Sequence, residues 1–272
     1  RLGLYKCYAC RKQFRVTVGT IFEKSKVPLH LWLQAFYLIA GSKKGISANQ
    51  LHRTLGVTLK TAWFMGHRIR EAMRAGSLAP PMGGEGNVVE VDETFYGRTD
   101  THPKGRRRKF RSSQHKNVVM SLVERDGQVR SFHVAGYTVE DVTPIVRRNI
   151  HKETAVMTDA ASWYKHMNKD GDFASHDRVD HSIDEYVRVE DGRPPIHTNT
   201  VEGYFSVFKR GMRGTYQHCK EKHLHRYLAE FDFRYNNRVR LGVSDEERAA
   251  KMVKGAQGRR LTYRTPDRSR AT

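Results

Sequence analysis

The chain has 272 residues, with 49 Lys and Arg against 29 Asp and Glu, which gives a formal charge of +20 at pH 7. A hydrophobic content of 38% excludes a wholly disordered chain, and the length allows one large domain or two smaller ones. So positive a balance indicates a polyanionic partner, most commonly nucleic acid. A ribosome-like scaffold and a binder of anionic membranes share this charge, but no basic amphipathic helix with a bulky apolar face favours the membrane.

The cysteine count and the apolar stretches indicate the compartment. Three cysteines, Cys7, Cys10 and Cys219, are too few and odd in number for a disulfide framework, so we expect a reducing environment. The longest apolar stretch, residues 31–40, is too short to span a bilayer, and no signal peptide is visible. These patterns predict a cytoplasmic protein. The chain begins at Arg1 in mid-pattern, so we expect its natural beginning to be missing.

Residues 1–27 carry a Cys-x-x-Cys pair, Cys7 and Cys10, among aromatic, β-branched and basic residues. This pattern is typical of a zinc-ribbon knuckle followed by a strand, and a chance tight turn is the alternative. Structural zinc needs four ligands, so the second pair would precede Arg1. We predict a partial zinc ribbon that binds Zn²⁺ in a longer protein; whether these two cysteines alone hold zinc stays open.

Residues 28–78 are predicted to be helical, and they contain a helix-turn-helix pattern. Ser47 and Thr58 are predicted to begin two successive helices, and Gly56 fits the tight turn between them. An ordinary helical hairpin used for packing would give the same pattern, but the net charge favours DNA binding. The second helix would then present three side chains to a DNA groove: Lys60, Thr61 and Arg68.

The rest of the chain predicts an α/β domain. Residues 79–87 are rich in Gly and Pro and predict a linker. Strands and then helices fill residues 88–240. They include two strands, Asn117 to Glu124 and Val129 to Val134, which are joined by an Asp126-Gly127 turn, and a helix at 160–168. Residues 241–272 are predicted to form a basic C-terminal tail, and its last part, residues 255–272, is expected to be loose.

Three acidic residues stand where metal ligands often lie. Asp92 follows a β-branched run that predicts a buried strand, Asp159 ends a second such run, and Glu202 lies at the predicted beginning of a helix. Carboxylates from two strand ends and one helix can converge on a pair of hard divalent cations, Mg²⁺ or Mn²⁺. The alternative for either aspartate alone is a turn residue or helix cap.

The order Asp, Asp, Glu, with Lys209 seven positions after Glu202, resembles the DDE transposases of bacterial insertion sequences. With the Cys-x-x-Cys pair and the helix-turn-helix pattern in front, the chain is similar to the ISXO-like branch. The resemblance covers about residues 5–240. It is carried by three stretches: 91–95, 158–164 and 197–211.

The resemblance implies an α/β catalytic domain with the RNase H-like (retroviral-integrase) fold. It implies that Asp92, Asp159 and Glu202 bind two Mg²⁺ or Mn²⁺ ions, which support cleavage at the transposon end and strand transfer into target DNA. It further implies double-stranded DNA as partner, a homodimer or higher oligomer on that DNA, and a bacterial, nucleoid-associated location. Some relatives use Asn at the third position, so Asn199 is a rival to Glu202 as metal ligand. The gap of 43 positions between Asp159 and Glu202 is longer than the corresponding gap of integrases, so a small insertion is required.

The resemblance also implies phosphate contacts. Lys209 and Arg210 would hold DNA near the scissile phosphate. A basic run would follow the DNA backbone: Arg106, Arg107, Arg108 and Lys109. A solvated surface is the alternative for that run.

Other chemistries have weaker support. Three tyrosines, Tyr164, Tyr204 and Tyr216, lie near the motifs, but the Arg and His constellation of tyrosine recombinases is not apparent. Scattered histidines could indicate zinc, although structural or solvated roles are the simpler interpretation: His181, His197, His218, His223 and His225. The alternative functions are a DNA-binding regulator derived from a transposase without catalysis, a stand-alone nuclease of RNase H-like fold, and a structural scaffold.

Overall fold

The computed structural model describes residues 3–76, 79–99, 115–165, 167–169 and 171–261. The chain divides into two compact units, Arg1–Arg74 with Val243–Thr272, and Ala75–Gly242. The described residues contain seven strands and seven α-helices: β1 (Tyr5–Lys6), β2 (Gln13–Phe14), α1 (Leu29–Gly41), α2 (Ala48–Leu55), α3 (Leu59–Met73), β3 (Val88–Tyr96), β4 (Asn117–Glu124), β5 (Val129–Val134), α4 (Val139–Asn149), β6 (Ala155–Asp159), β7 (Ser175–Val179), α5 (Asn199–Gly211), α6 (Leu224–Asn236) and α7 (Asp245–Lys254).

The predicted cysteine knuckle lies in a small hairpin of the first unit. β1 and β2 pair antiparallel, with Tyr5 opposite Phe14. The turn between them is closed by the Arg11 amide donating to the Cys7 carbonyl at 2.9 Å. Hydrogen bonds from Cys10 lower the pKa of the Cys7 thiol. The hairpin therefore brings the two free cysteines together at its turn.

The helix-turn-helix pattern folds as two helices joined by a tight turn. The Gln50 amide donates to Ser47 Oγ at 3.1 Å at the start of α2, and the Thr61 amide donates to Thr58 Oγ1 at 3.2 Å at the start of α3. Gly56 ends α2 with φ of 65°, a left-handed conformation that favours glycine. The helices and the turn thus begin and end at the predicted residues.

The segment predicted as a basic C-terminal tail contributes a helix to the first unit. α7 begins with a capping box between Ser244 and Glu247, and Met252 on this helix is buried. Residues 255–261 were expected to be loose. They are held to the unit instead, because Ala256 is buried and its carbonyl accepts from the Ile21 amide at 3.1 Å.

The second unit is built on a mixed five-stranded sheet in the order β5-β4-β3-β6-β7. β3 pairs antiparallel with β4, and β4 with β5, whereas β3, β6 and β7 run parallel. The segment predicted as a linker belongs to this unit, where the His151 amide donates to the Met82 carbonyl at 2.8 Å. The arrangement is a mixed α/β fold consistent with an RNase H-like transposase domain.

Helices cover both faces of this sheet. One face packs on α4 and on a 3₁₀ turn at Ser162–Tyr164, with Val91, Met120 and Val142 buried between them. The other face packs on α5 and α6, where Val119, Phe208 and Phe231 are buried. Because successive side chains of a strand point to opposite faces, even-numbered β3 residues face α5.

None of the helices in the described ranges is long and apolar enough to cross a lipid bilayer.

Candidate active site

The two aspartates lie side by side on neighbouring parallel strands. The register of β3 and β6 runs from Val88 opposite Ala155 to Val91 opposite Thr158. Continuing it by one residue sets Asp92 opposite Asp159, and such strands lie about 5 Å apart. The sequence predicted that the strand ends at Asp92. β3 instead continues to Tyr96, because β4 pairs with it that far.

Glu202, in the first turn of α5, lies near enough to the two aspartates for its charge to act on both. Its negative charge, together with that of Asp159, raises the pKa of Asp92, although burial is the largest cause, and the pKa reaches about 8. The pKa of Asp159 is also raised, first by burial and further by Glu202, whereas the Ala161 amide and His181 oppose the rise. The three carboxylates therefore repel one another, which is the electrostatic condition that a bound cation relieves.

The donor set of this cluster fits a hard divalent cation, since carboxylate oxygens are the ligands that Mg²⁺ and Mn²⁺ prefer. Within the described ranges, no three His, Cys, Asp or Glu side chains stand close enough together to hold a metal ion as they are arranged. Glu202 Oε1 is engaged elsewhere, 3.3 Å from Thr198 Oγ1 and 3.4 Å from His181 Nε2. The Glu202 side chain is half exposed, so its rotamer is not fixed by packing on all sides.

Residues 83–236 match the family described as the ISXO2-like transposase domain. The chain belongs to this transposase family. It is also similar to a protein of Halobacterium salinarum described as an uncharacterised protein in the transposable element ISH50. The two are 26% identical over 242 residues, which cover 85% of this chain and 77% of that protein. The insertion-sequence transposase resemblance of the ISXO-like branch is thereby confirmed.

In this ISXO2-like chain, the other residues predicted on α5 flank Glu202. Asn199 is the first residue of α5 and is exposed. Lys209 is partly buried in the last turn, with its ammonium 6.0 Å from the Phe205 ring centre. Arg210 is exposed and donates to the Ser206 carbonyl at 3.1 Å. Seven residues of helix separate Glu202 from Lys209 by roughly 10 Å along the same face.

The residues predicted to contact DNA outside α5 have different placements. Lys60 is exposed at the start of α3, and Thr61 beside it is partly buried. Arg68 is buried, and it donates to the carbonyls of Ile21 at 2.7 Å and Leu261 at 3.0 Å. A guanidinium held by backbone carbonyls inside its own unit is not available to a groove, so Arg68 does not fit the predicted contact. The basic run lies outside the described residues: Arg106, Arg107, Arg108 and Lys109.

Sequence reasoning missed three residues beside the cluster. Glu93 points to the opposite face from Asp92 and accepts hydrogen bonds from the Tyr164 hydroxyl and from Trp163 Nε1 at 3.3 Å. Burial raises its pKa to about 7, although these two donors oppose the rise. The side chain therefore ties β3 to the turn that follows Asp159.

His181 and Glu90 are the other two. His181 follows β7 at the edge where β6 also ends, and it contacts Glu202. Glu90 is fully buried on the same face of β3 as Asp92. A glutamate in a β-branched run was the available signal for Glu90, because a buried charge needs partners. His181 gave no such signal, since its contact with Glu202 depends on how the segment between β7 and α5 folds.

Proposed function

We propose that this chain is a DNA transposase of an insertion sequence, which binds terminal inverted repeats and catalyses metal-dependent cleavage of the element's ends and strand transfer. The observation that supports the proposal is that Asp92 and Asp159 lie on neighbouring parallel strands, β3 and β6, where the charge of Glu202 on α5 raises the pKa of both. Carboxylates that repel one another do not stabilise the fold, so their proximity is better explained by the binding of divalent cations.

Asp92, Asp159 and Glu202 would hold two Mg²⁺ or Mn²⁺ ions, and Asn199, one turn before Glu202, is the rival third ligand. When bound, such ions activate the attacking oxygen and neutralise the charge that develops on the phosphate. The chain itself contributes position: the sheet fixes the two aspartates on neighbouring strands, and α5 carries the third ligand. The partial burial of Asp92 weakens the screening of its charge by water.

DNA would be held by residues of each unit. Lys209 and Arg210, two turns along α5 from Glu202, would contact phosphates near the scissile bond. Lys60 and Thr61 at the start of α3 would reach the terminal repeat, with α2 and α3 acting as a helix-turn-helix. The basic run Arg106–Lys109 would follow the DNA backbone.

We further propose that the hairpin with Cys7 and Cys10 is part of a zinc ribbon. The tight turn that brings the two thiols together supports this proposal. The chain would act on double-stranded DNA in the cytoplasm as a homodimer or a higher oligomer, because two transposon ends have to be processed together.

Cleavage of a duplex that carries the element's terminal repeat and its flank tests the function. The wild-type chain should nick the repeat end only with Mg²⁺ or Mn²⁺, and Asp92→Asn or Asp159→Asn should reduce the rate by at least about 1,000-fold while DNA binding is retained. Asp126→Asn is a matched control, since Asp126 is an exposed turn residue paired with Arg240. Wild-type binding without any cleavage would favour a regulator, and cleavage without strand-transfer products would favour a stand-alone nuclease.

A further inference from the structure

Glu90 is a fully buried carboxylate, placed two residues before Asp92 on the same face of β3. Its Oε2 accepts from the backbone amides of Thr200 at 2.8 Å and Val201 at 3.0 Å. Its Oε1 accepts from Thr200 Oγ1 at 2.8 Å. The first turn of α5 is thus bound directly to the strand that carries the first aspartate.

This contact replaces a local helix cap. Thr198 occupies the position before α5, but its side chain makes no capping hydrogen bond. The first amides of a helix need acceptors, and a carboxylate there also interacts favourably with the helix dipole. Glu90 fulfils this role from a strand 110 positions earlier in the sequence, so the cap fixes tertiary position as well as helix start.

Arg125 extends the contact to the loop that leads into α5. Its Nε donates to Glu90 Oε1 at 2.6 Å, and its two terminal nitrogens donate to the carbonyls of Pro195 at 2.6 Å and His197 at 3.0 Å. His197 Nδ1 lies 3.1 Å from the same Glu90 oxygen. These donors surround the carboxylate, so Glu90 has no oxygen turned toward the acidic cluster and is not itself a metal ligand.

We propose that Glu90 is a positioning residue that sets Glu202 against Asp92 and so determines how well the acidic cluster takes up divalent cations. The covalent path is short on both sides, because Asp92 is two residues after Glu90 and Glu202 is one residue after Val201. Loss of these contacts of Glu90, here called the clamp, would let the first turn of α5 shift or fray while the rest of α5 stays packed through Phe205 and Phe208. The inference rests on the proposed function for its catalytic consequence only.

Glu90→Gln tests the clamp, because the amide keeps the shape but turns a donor toward other donors. Glu230→Gln is the matched control: Glu230 is also a fully buried glutamate in this unit, paired with Arg234, and it is remote in sequence and in contacts from the cluster. With metal absent, Glu90→Gln should speed amide hydrogen exchange at Thr200 and Val201 by at least about tenfold, whereas Glu230→Gln should leave these two amides unchanged.

The affinity of the DNA-free chain for Mn²⁺ is the second measurement. Glu90→Gln should lower this affinity by at least about tenfold. With the terminal-repeat duplex, cleavage should fall by about 100-fold at an Mn²⁺ concentration that saturates the wild type. Thr200→Val, which removes one donor, should show the same changes at about three- to tenfold. Thr200→Ser, which keeps the hydroxyl, should behave as the wild type. If Glu90→Gln does not fold, the comparison of Thr200→Val with Thr200→Ser still tests the inference.

The inference would be overturned if Glu90→Gln and Thr200→Val showed the same amide exchange, Mn²⁺ affinity and cleavage rate as the wild type. The proposed function would still stand. An equal loss in Glu230→Gln would also overturn it, because the effect would then follow from a lost buried charge anywhere in the unit. A wild-type chain that does not cleave DNA would remove the proposed function alone. Exchange and Mn²⁺ affinity would then decide on the clamp.

Discussion

Replacing Asp92 by Asn should change how the stability of the metal-free protein depends on pH. The pKa of Asp92 is raised from 3.8 to about 8, chiefly by burial and then by the charge of Asp159. Between these two values the folded chain retains a proton that the unfolded chain has released. The free energy of unfolding therefore falls as the pH rises through this window, and Asp92→Asn removes the fall.

The magnitude follows from the size of the window. One pKa unit corresponds to about 1.4 kcal/mol, so the wild type should lose about 4 kcal/mol relative to Asp92→Asn between pH 5 and pH 8. This value is an upper limit, because the neighbouring Asp159 has its own raised pKa and takes part in the same titration. Asp92→Asn should be the more stable protein at pH 8.

Urea denaturation in EDTA at several pH values, followed for both proteins, measures this difference. Titrating groups elsewhere in the chain cancel in the comparison. Added Mn²⁺ should restore stability to the wild type at pH 8, because cation binding needs the ionised carboxylates and favours the folded state. If the stability of the two proteins depended on pH in the same way, the raised pKa of Asp92 would be refuted.

Three further substitutions test other parts of the account. Lys60→Ala should weaken non-specific DNA binding and reduce the slope of log K against log salt concentration by about one, without a change in Tm. An unchanged slope would show that this end of α3 does not contact DNA phosphates. Arg68→Ala should lower the free energy of unfolding by about 3 kcal/mol, because the residue bonds buried carbonyls of its own unit; unchanged stability in urea denaturation would contradict that structural role. Tyr164→Phe should destabilise the protein by about 1–3 kcal/mol at pH 8, since Glu93 loses a buried donor; equal stability to the wild type would show that Glu93 does not need this bond.

Local patterns predicted local structure well. The strands Asn117–Glu124 and Val129–Val134 were predicted with these bounds, because apolar runs flank a turn in which Asp126 adopts a φ of 55°. Ser47 and Thr58 were recognised as helix caps from residue type and spacing. Each of these features depends on residues within a few positions of one another.

Elements that depend on distant partners were predicted less well. The helix expected at 160–168 is a 3₁₀ turn at Ser162–Tyr164, because the Ala161 amide bonds the Asp159 side chain and Glu93 holds the Tyr164 hydroxyl. Arg68 counted as a groove contact by its helical position, but its acceptors lie far away in the sequence. Neither outcome is visible in a local pattern.

The candidate site divides in the same way. The carboxylates Asp92, Asp159 and Glu202 stand out in the sequence because each lies at a predicted strand end or helix start. Glu90 and His181 do not, since their importance lies in contacts with α5 that only the folded chain reveals. The parallel register of β3 and β6, which sets the two aspartates side by side, also cannot be read from the sequence.

Anomalous diffraction from crystals soaked in Mn²⁺ tests the central claim most directly. The account predicts density for Mn²⁺ within about 2.2 Å of carboxylate oxygens of both Asp92 and Asp159, with Glu202 or Asn199 completing the site. Asp92→Asn crystals treated in the same way should lose that density. Mn²⁺ bound only elsewhere, or absent from these carboxylates at saturating concentration, would contradict the claim.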